Sequence, residues 1–467
     1  MAWSVANTAA AKLGTLAIGV VLARVLGPEA FGTYAIAYVA LVAVLSFNEL
    51  GVSLAIVRWP GDAREIAPTV STVSLASSVL VTAGAFAVAP AFATTMGDPS
   101  AANLVRVLAL CVVINGAVAA PAALMQRAFR QDQRMLVDQV NTWLGAGVSV
   151  ALALVGVGAW ALVIGRLAGA VVSAVLFVAL SPEPYRLALD RSRLRPLLAF
   201  GLPLAGASVV VFAASYVDQL VVGRVLGPVA LGFYVLAFNL SSWPVTVLSQ
   251  PLRSVAPALF ARLQDNPAQM RRTFTRVLRP LAAVTLPMCV VLSAVAEDVV
   301  HLVYGEAWAP AAEPLRWLAL LAAARILIEL AYDYLVVLGR SRRLFAVQAL
   351  WLVMLVPATS LGAAGWGTQG VAVAQVVVAA LVVVPVYLVL LRRELVGLRH
   401  VVRQVAVPLG GSLALGAVVA WSAWQVSSPL GTLAGAAVAG LSTVVALGWR
   451  SRDDLRALRD TSSGLGS

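Results

Sequence analysis

Between positions 68 and 93 the chain reads PTVSTVSLASSVLVTAGAFAVAPAFA, twenty-six residues without a charge. Apolar runs of about twenty residues recur from one end of the sequence to the other. No other feature limits the fold so strongly. A helix rises 1.5 Å per residue, so about 20 residues cross a hydrocarbon core ~30 Å thick. Strands of a membrane barrel would instead alternate in polarity over about ten residues, and that period is absent. The expected fold is an all-α integral membrane protein. Composition agrees: 61% of residues are hydrophobic and 12% charged, where a soluble domain carries about 25% charged residues.

Apolar runs and their Gly/Pro breakers divide the chain into about fourteen predicted spans, the first at 3–24 and the last at 430–449. Tight breaks (156–160, 365–370, 427–431) alternate with longer, arginine-rich connections. With the N-terminus in the cytoplasm, 26 of the 33 basic residues fall in cytoplasmic connections. Only Arg24, Arg106, Arg224 and Arg316 fall in outer ones. That asymmetry places both termini in the cytoplasm. It also accounts for the net charge of +12, which elsewhere would direct attention to nucleic acid; no nucleic-acid partner is expected here.

The phrase LARVLGPEAFGTYAIAY (22–38) returns as VGRVLGPVALGFYVLAF (222–238), with Arg24 and Arg224 200 positions apart. Each copy follows the first span of its half, the first and the seventh. Six spans is an even number, so the halves are expected to run parallel, related by an axis along the membrane normal. A fainter echo, RMLVDQ (134–139) and RLFAVQ (343–348), lies 209 positions apart. The predicted organisation is a six-helix lobe over 1–198, a second over 199–398, two further helices over 399–449 and a cytoplasmic tail at 450–467. The tail is expected to be a solvated or surface-lying amphipathic helix.

LARVLGPEAFGTYAIA, followed by ELGVSLAIVR (49–58), resembles the opening of polysaccharide flippases of the Wzx type. YVDQLVVGRVLGPVALGFYVLAF (216–238) is similar to the seventh span and following loop of that family. The family belongs to the larger group that also holds lipid II flippases and MATE drug exporters. The resemblance implies two six-helix lobes around a cavity open alternately to each side. It implies a polyprenyl-diphosphate-linked oligosaccharide as substrate, carried from the inner to the outer leaflet of the bacterial cytoplasmic membrane. It carries no catalytic signature, and Leu231 stands where the first copy has Phe31.

Three basic residues remain inside predicted spans: Lys12, Arg166 and Arg325. An ionisable group in hydrocarbon needs a partner, water or a function. A guanidinium matches phosphate oxygens in bidentate fashion and an ammonium serves as a point charge. Arg166, Lys12 and Arg325 are therefore the candidate substrate-binding residues. Lys12 has the alternative of snorkelling, or of pairing with Asp218. Arg325 and Glu329, four residues apart, have the alternative of neutralising each other. Asp218 and Glu329 are the candidate ion-coupling residues, since a desolvated carboxylate can titrate; a structural pairing is the competing role for Asp218.

Cys111 and Cys289 lie inside apolar runs, with neither a disulfide framework nor metal-ligand spacing. No metal and no cofactor are expected. Trp3, Trp160, Trp308 and Trp366 read as interface anchors, and Gly165 and Gly169 as close helix packing. The expected function is a lipid-linked oligosaccharide flippase acting as a monomer, with a glycan polymerase and glycosyltransferases as functional partners. The alternative is a MATE-like, ion-coupled small-molecule exporter. A membrane glycosyltransferase or ligase needs an acid pair or a large outer domain, and the outer loops are too short, so an enzyme is not expected.

Overall fold

The computed structural model describes residues 2–47, 52–59, 61–264, 266–394, 396–425 and 429–450. Side chains at 2–13, 15–16, 204, 207, 247–258, 423–424, 429 and 450 are outside the description. The predicted tail helix also lies outside the described residues from position 451 onward. Among the described residues all regular structure is helical. The protein is a multi-pass membrane protein.

Two compact units divide the chain, Met1–Gly232 and Phe233–Ser467. The first holds α1 (Ala2–Ser46), the short α2 (Ser53–Arg58), α3 (Ala63–Thr95), α4 (Ala101–Arg127), α5 (Gln131–Leu154), α6 (Trp160–Ala179) and the start of α7 (Arg191–Arg262). The second holds the rest of α7, α8 (Pro267–Ala294), the short α9 (Ala296–Tyr304) and α10 (Ala312–Val337). It continues through α11 (Ser341–Val378), a π turn at Ala379–Val383 and α12 (Val384–Arg393) to α13 (Leu398–Gln425) and α14 (Pro429–Arg450).

Three of these helices contain a break. In α1, Gly27 has φ 72°, ψ 174°, and in α7, Gly227 has φ 85°, ψ −176°. Positive φ costs glycine nothing, and the proline that follows each suits the first turn of the next rod. The recurring Gly-Pro pair is thus the same backbone turn made twice. In α11 the break falls at Trp366 and Gly367 (φ 59°). Divided at these points, with the end of α11, the π turn and α12 counted as one rod and the short α2 and α9 set aside, the helices give fourteen long rods among the described residues. The second predicted span, 31–56, is shorter than expected, because α1 ends at Ser46 and α2 is separate. The ninth, 277–300, likewise closes at Ala294, with α9 starting anew.

A second internal repeat links the α4–α5 and α10–α11 turns. Ala128 N–H donates to Leu124 O, Phe129 N–H to Gln126 O and Arg130 N–H to Met125 O. Leu338, Gly339 and Arg340 make the same three bonds to Tyr334, Val336 and Leu335. The backbone register is 210 positions, one more than the letters of the echo indicate. The left-handed residue is Phe129 (φ 55°) in one copy and Gly339 (φ 71°) in the other.

Within the first unit the two Gly-Pro turns cross each other. A Cβ on Gly32 would lie 2.0 Å from Pro228 O, and a Cβ on Gly232 would lie 2.7 Å from Pro28 O and 3.3 Å from Gly32 Cα. Only glycine allows two backbones this close. The relation is reciprocal, as in a two-fold contact. The loop between α3 and α4 abuts the same crossing: Gly97 faces Gly227, and Thr33 donates to Asp98 Oδ2 at 2.6 Å. Gly165 and Gly169 of α6 pack on Ser149, Gly145 and Asn141 of α5, as the small-residue stripe predicts.

Several loop arginines have structural partners. Arg127, ending α4, donates to the carbonyls of Ile56, Trp59 and Gly61 at 2.7, 2.8 and 2.7 Å, closing the α2–α3 connection. Arg340 grips Glu394 in bidentate fashion at 2.7 and 3.0 Å, joining the α10–α11 turn to the end of α12. Trp308 is not an interface anchor: it is 1% exposed, edge-on to Phe233 at 5.9 Å, within the second unit. Trp366, 75% exposed, retains that reading.

Candidate functional site

Arg166 lies on α6, six residues past its start at Trp160. It is exposed, and among the described residues no carboxylate pairs with it. It is close enough to Tyr34 and Cys111 to act on both electrostatically. The adjoining α6 residues Val163, Leu167 and Ala170 pack in the cluster that holds Tyr34, Tyr38 and Cys111. Helix α6 therefore carries its guanidinium to the second rod of α1.

Tyr34 stacks on Tyr38, one turn further along, with ring centroids 5.9 Å apart. Tyr38 in turn lies within electrostatic reach of Tyr216 on the first rod of α7. Tyr216 stacks on Phe212 at 5.2 Å and neighbours Asp218. All three tyrosines keep part of their surface accessible. Asp218 is 3% exposed, and its Oδ1 accepts from the Gln219 N–H at 2.9 Å. The predicted cation on α6 and the predicted acid on α7 are thus connected by a row of tyrosines. Sequence reasoning selected the two ends and missed the row. The signal available was the tyrosine of the repeated phrase.

The second unit treats the same phrase differently. Tyr234, the counterpart of Tyr34, is fully buried, and the side-chain amide of Gln375 donates to its hydroxyl. Phe238, the counterpart of Tyr38, lies under Arg325, whose guanidinium carbon is 5.8 Å from the ring centroid. That is a cation–π contact. Among the described residues Arg325 and Glu329 form no ion pair, and Glu329 Oε2 is buried without a hydrogen-bond partner. The i,i+4 spacing put them on one face, but the ring of Phe238 took the guanidinium. Asp333, two turns beyond Arg325, is also buried. Lys12 falls within α1, with its side chain outside the described residues.

None of the predicted residues lines the cavity of about 230 Å³ between the 181–186 connection and helices α3 and α4, which Arg64, Ser71, Glu183, Tyr185 and Arg186 border. Among the described residues, no group of three or more His, Cys, Asp or Glu side chains is placed to hold a metal ion.

Several known proteins resemble this chain. The succinoglycan biosynthesis transport protein ExoT of Rhizobium meliloti (strain 1021) is 26% identical over 371 residues, 78% of this chain and 73% of its own. The lipopolysaccharide biosynthesis protein WzxC of Escherichia coli (strain K12) is 23% identical over 353 residues, 75% of this chain and 72% of its own. Among solved structures, the lipid II flippase MurJ in an inward closed conformation gives a TM-score of 0.80 over 97% of this chain and 99% of its own, at 13% identity. An inward-facing MATE family multidrug resistance transporter of the MOP superfamily gives 0.66 over 81% and 94%, at 16% identity. Both structural likenesses are of fold. Residues 21–313 match the polysaccharide biosynthesis protein family, and with well over half its length so matched the chain belongs to that family.

Proposed function

We propose that this protein is a flippase that carries polyprenyl-diphosphate-linked oligosaccharide units from the inner to the outer leaflet of the bacterial cytoplasmic membrane. It works as a transporter rather than an enzyme, in step with glycosyltransferases that build the unit and a polymerase that extends it. The carrying observation is Arg166: a guanidinium in a membrane-spanning helix, with no carboxylate partner among the described residues, in a chain of the polysaccharide biosynthesis family. An uncompensated cation in hydrocarbon is costly, and a diphosphate is the partner that repays it with bidentate hydrogen bonds.

In this reading both termini are cytoplasmic, the lobes are 1–198 and 199–398, and helices 399–449 are additional to them. Lys12 and Arg325 are the further substrate-binding candidates of this reading. Asp218 and Glu329 serve ion coupling; the buried, unpartnered Oε2 of Glu329 supports its part. The protein acts as a monomer.

The test is a flipping assay in reconstituted vesicles with an undecaprenyl-diphosphate-linked oligosaccharide. Wild-type protein should move it, and Arg166→Ala should abolish movement while the protein remains folded in the membrane. Transport of cationic drugs in place of the glycan lipid, or normal flipping by Arg166→Ala, would overturn the proposal.

A further inference from the structure

Two aromatic positions recur in the repeated phrase, and the two units use them in opposite ways. In the second unit both are occupied from within the protein, Tyr234 by Gln375 and Phe238 by Arg325. In the first unit Tyr34 and Tyr38 stack on one another and stand near Arg166 and Tyr216. Tyr34 is surrounded by the helices of its unit, yet part of its surface stays accessible. A ring packed among helices and still partly accessible can be reached by a ligand.

We propose that Tyr34, Tyr38 and Tyr216 form a carbohydrate platform, on which the sugar rings of the glycan rest while Arg166 holds the adjoining diphosphate. This inference rests on the flippase reading. A sugar ring presents an apolar face of C–H bonds ringed by hydroxyls, and tyrosine presents an apolar face with a hydroxyl at its tip. The two match on both counts. Tyr34 and Tyr38 are one helical turn apart, about 6 Å along the axis, and their rings are not far from parallel, at 29°. Together they make one stacked aromatic pair rather than two isolated rings. The cation stands at the Tyr34 end and the buried carboxylate of Asp218 beyond Tyr216. An elongated ligand, negative at one end and hydroxyl-rich along the rest, fits that order.

The platform is generic. Stacking reads the ring face and not the pattern of individual hydroxyls, so it grips a repeat unit without selecting one sugar. Tyrosine has few rotatable bonds, so little rotamer freedom is lost when a glycan binds.

The test uses full-length protein in vesicles with three probes: undecaprenyl diphosphate alone, the same lipid bearing one N-acetylglucosamine, and the lipid bearing an oligosaccharide. Tyr34→Ala and Tyr38→Ala should slow the oligosaccharide lipid about tenfold relative to the bare diphosphate, with the monosaccharide lipid between them. Tyr38→Phe keeps the ring and should retain most of the rate. Arg166→Ala should depress all three probes alike. Gel filtration of each variant separates slow transport from failure to fold. Equal effects of Tyr34→Ala and Tyr38→Ala on all three probes, or no effect on any, would overturn the platform while leaving the flippase reading in place. Failure of wild-type protein to move any of the three would remove both.

Discussion

Gln375 donates its side-chain amide to the hydroxyl of Tyr234, and 209 positions earlier Arg166 stands beside Tyr34. Each residue lies near the tyrosine of the repeated phrase in its own unit. One tyrosine is closed by a neutral hydrogen bond, and the other has a charge within electrostatic reach.

Exchange of the two side chains follows as a first prediction. Arg166→Gln should reproduce the Tyr234–Gln375 pair in the first unit. Transport should fall to background, while thermal stability in detergent rises with a gain of about 1 kcal/mol, the net worth of one hydrogen bond. Arg166→Lys keeps the charge but not the planar fork, and should restore transport only in part. A stable Arg166→Gln protein with full activity would remove Arg166 from the site.

The Gly32–Gly232 crossing gives a second. Alanine at Gly32 would place its Cβ 2.0 Å from Pro228 O, a backbone atom that cannot swing aside. The two rods must separate, with a loss of about 1–3 kcal/mol as for other overpacked sites. Gly232→Ala meets Pro28 O at 2.7 Å and should cost less. At Gly19 an added Cβ would meet nothing within 4 Å, so this position is the control and should tolerate alanine. Thermal melting of the three variants checks the order.

A third concerns the α4–α5 turn. Phe129 adopts φ 55°, a conformation unfavourable for a side chain with a Cβ, and it is 89% exposed. Its counterpart at the α10–α11 turn is glycine. Phe129→Gly should therefore stabilise the protein by about 1 kcal/mol, and Gly339→Phe should destabilise it by a similar amount. Melting temperatures that move the other way would mean that the exposed ring makes a contact worth more than the strain.

Much of this architecture is legible in the sequence. The apolar runs, the parity of the repeats and the Gly27-Pro28 turn all depend on residues near one another in the chain. Even α5 and α10, which fall outside the nine helices that length, hydropathy and charge alone select as spans among the described residues, stand out because neighbouring loops require them. The site is less legible, because its contacts are long-range. Gln375 and Tyr234 are 141 positions apart, and nothing in either local stretch names the other. Arg325 shows the converse error: Glu329 is the obvious partner by spacing, and Phe238, on another helix, is the one over which it lies. Local periodicity identifies faces, while packing selects the partner.

A last prediction follows from the loop that abuts the glycine crossing. Asp98 accepts hydrogen bonds from Ser100 N–H at 3.0 Å, Ser100 Oγ at 2.6 Å and Thr33 Oγ1 at 2.6 Å. Partial burial raises its pKa, but the hydrogen bonds from Ser100 and Thr33 outweigh it and hold the carboxyl below its ordinary 3.8. A carboxyl depressed in the folded state contributes stability that is fully present above the unfolded value and is lost as pH falls through the folded one. The tether to Thr33 should thus be intact at neutral and mildly acidic pH. Thermal stability should not change on its account between pH 7 and 5, and should decline only in stronger acid. Asp98→Asn can still accept from Thr33 but no longer titrates, so this variant should lose that part of the acid dependence. Thr33→Val removes the donor and should lower stability at neutral pH without affecting the Asp98–Ser100 contacts that precede α4. Melting curves of the three proteins from pH 7 to 3 distinguish these outcomes; a wild-type decline already complete by pH 5, absent in Asp98→Asn, would mean that burial outweighs the hydrogen bonds at this carboxyl.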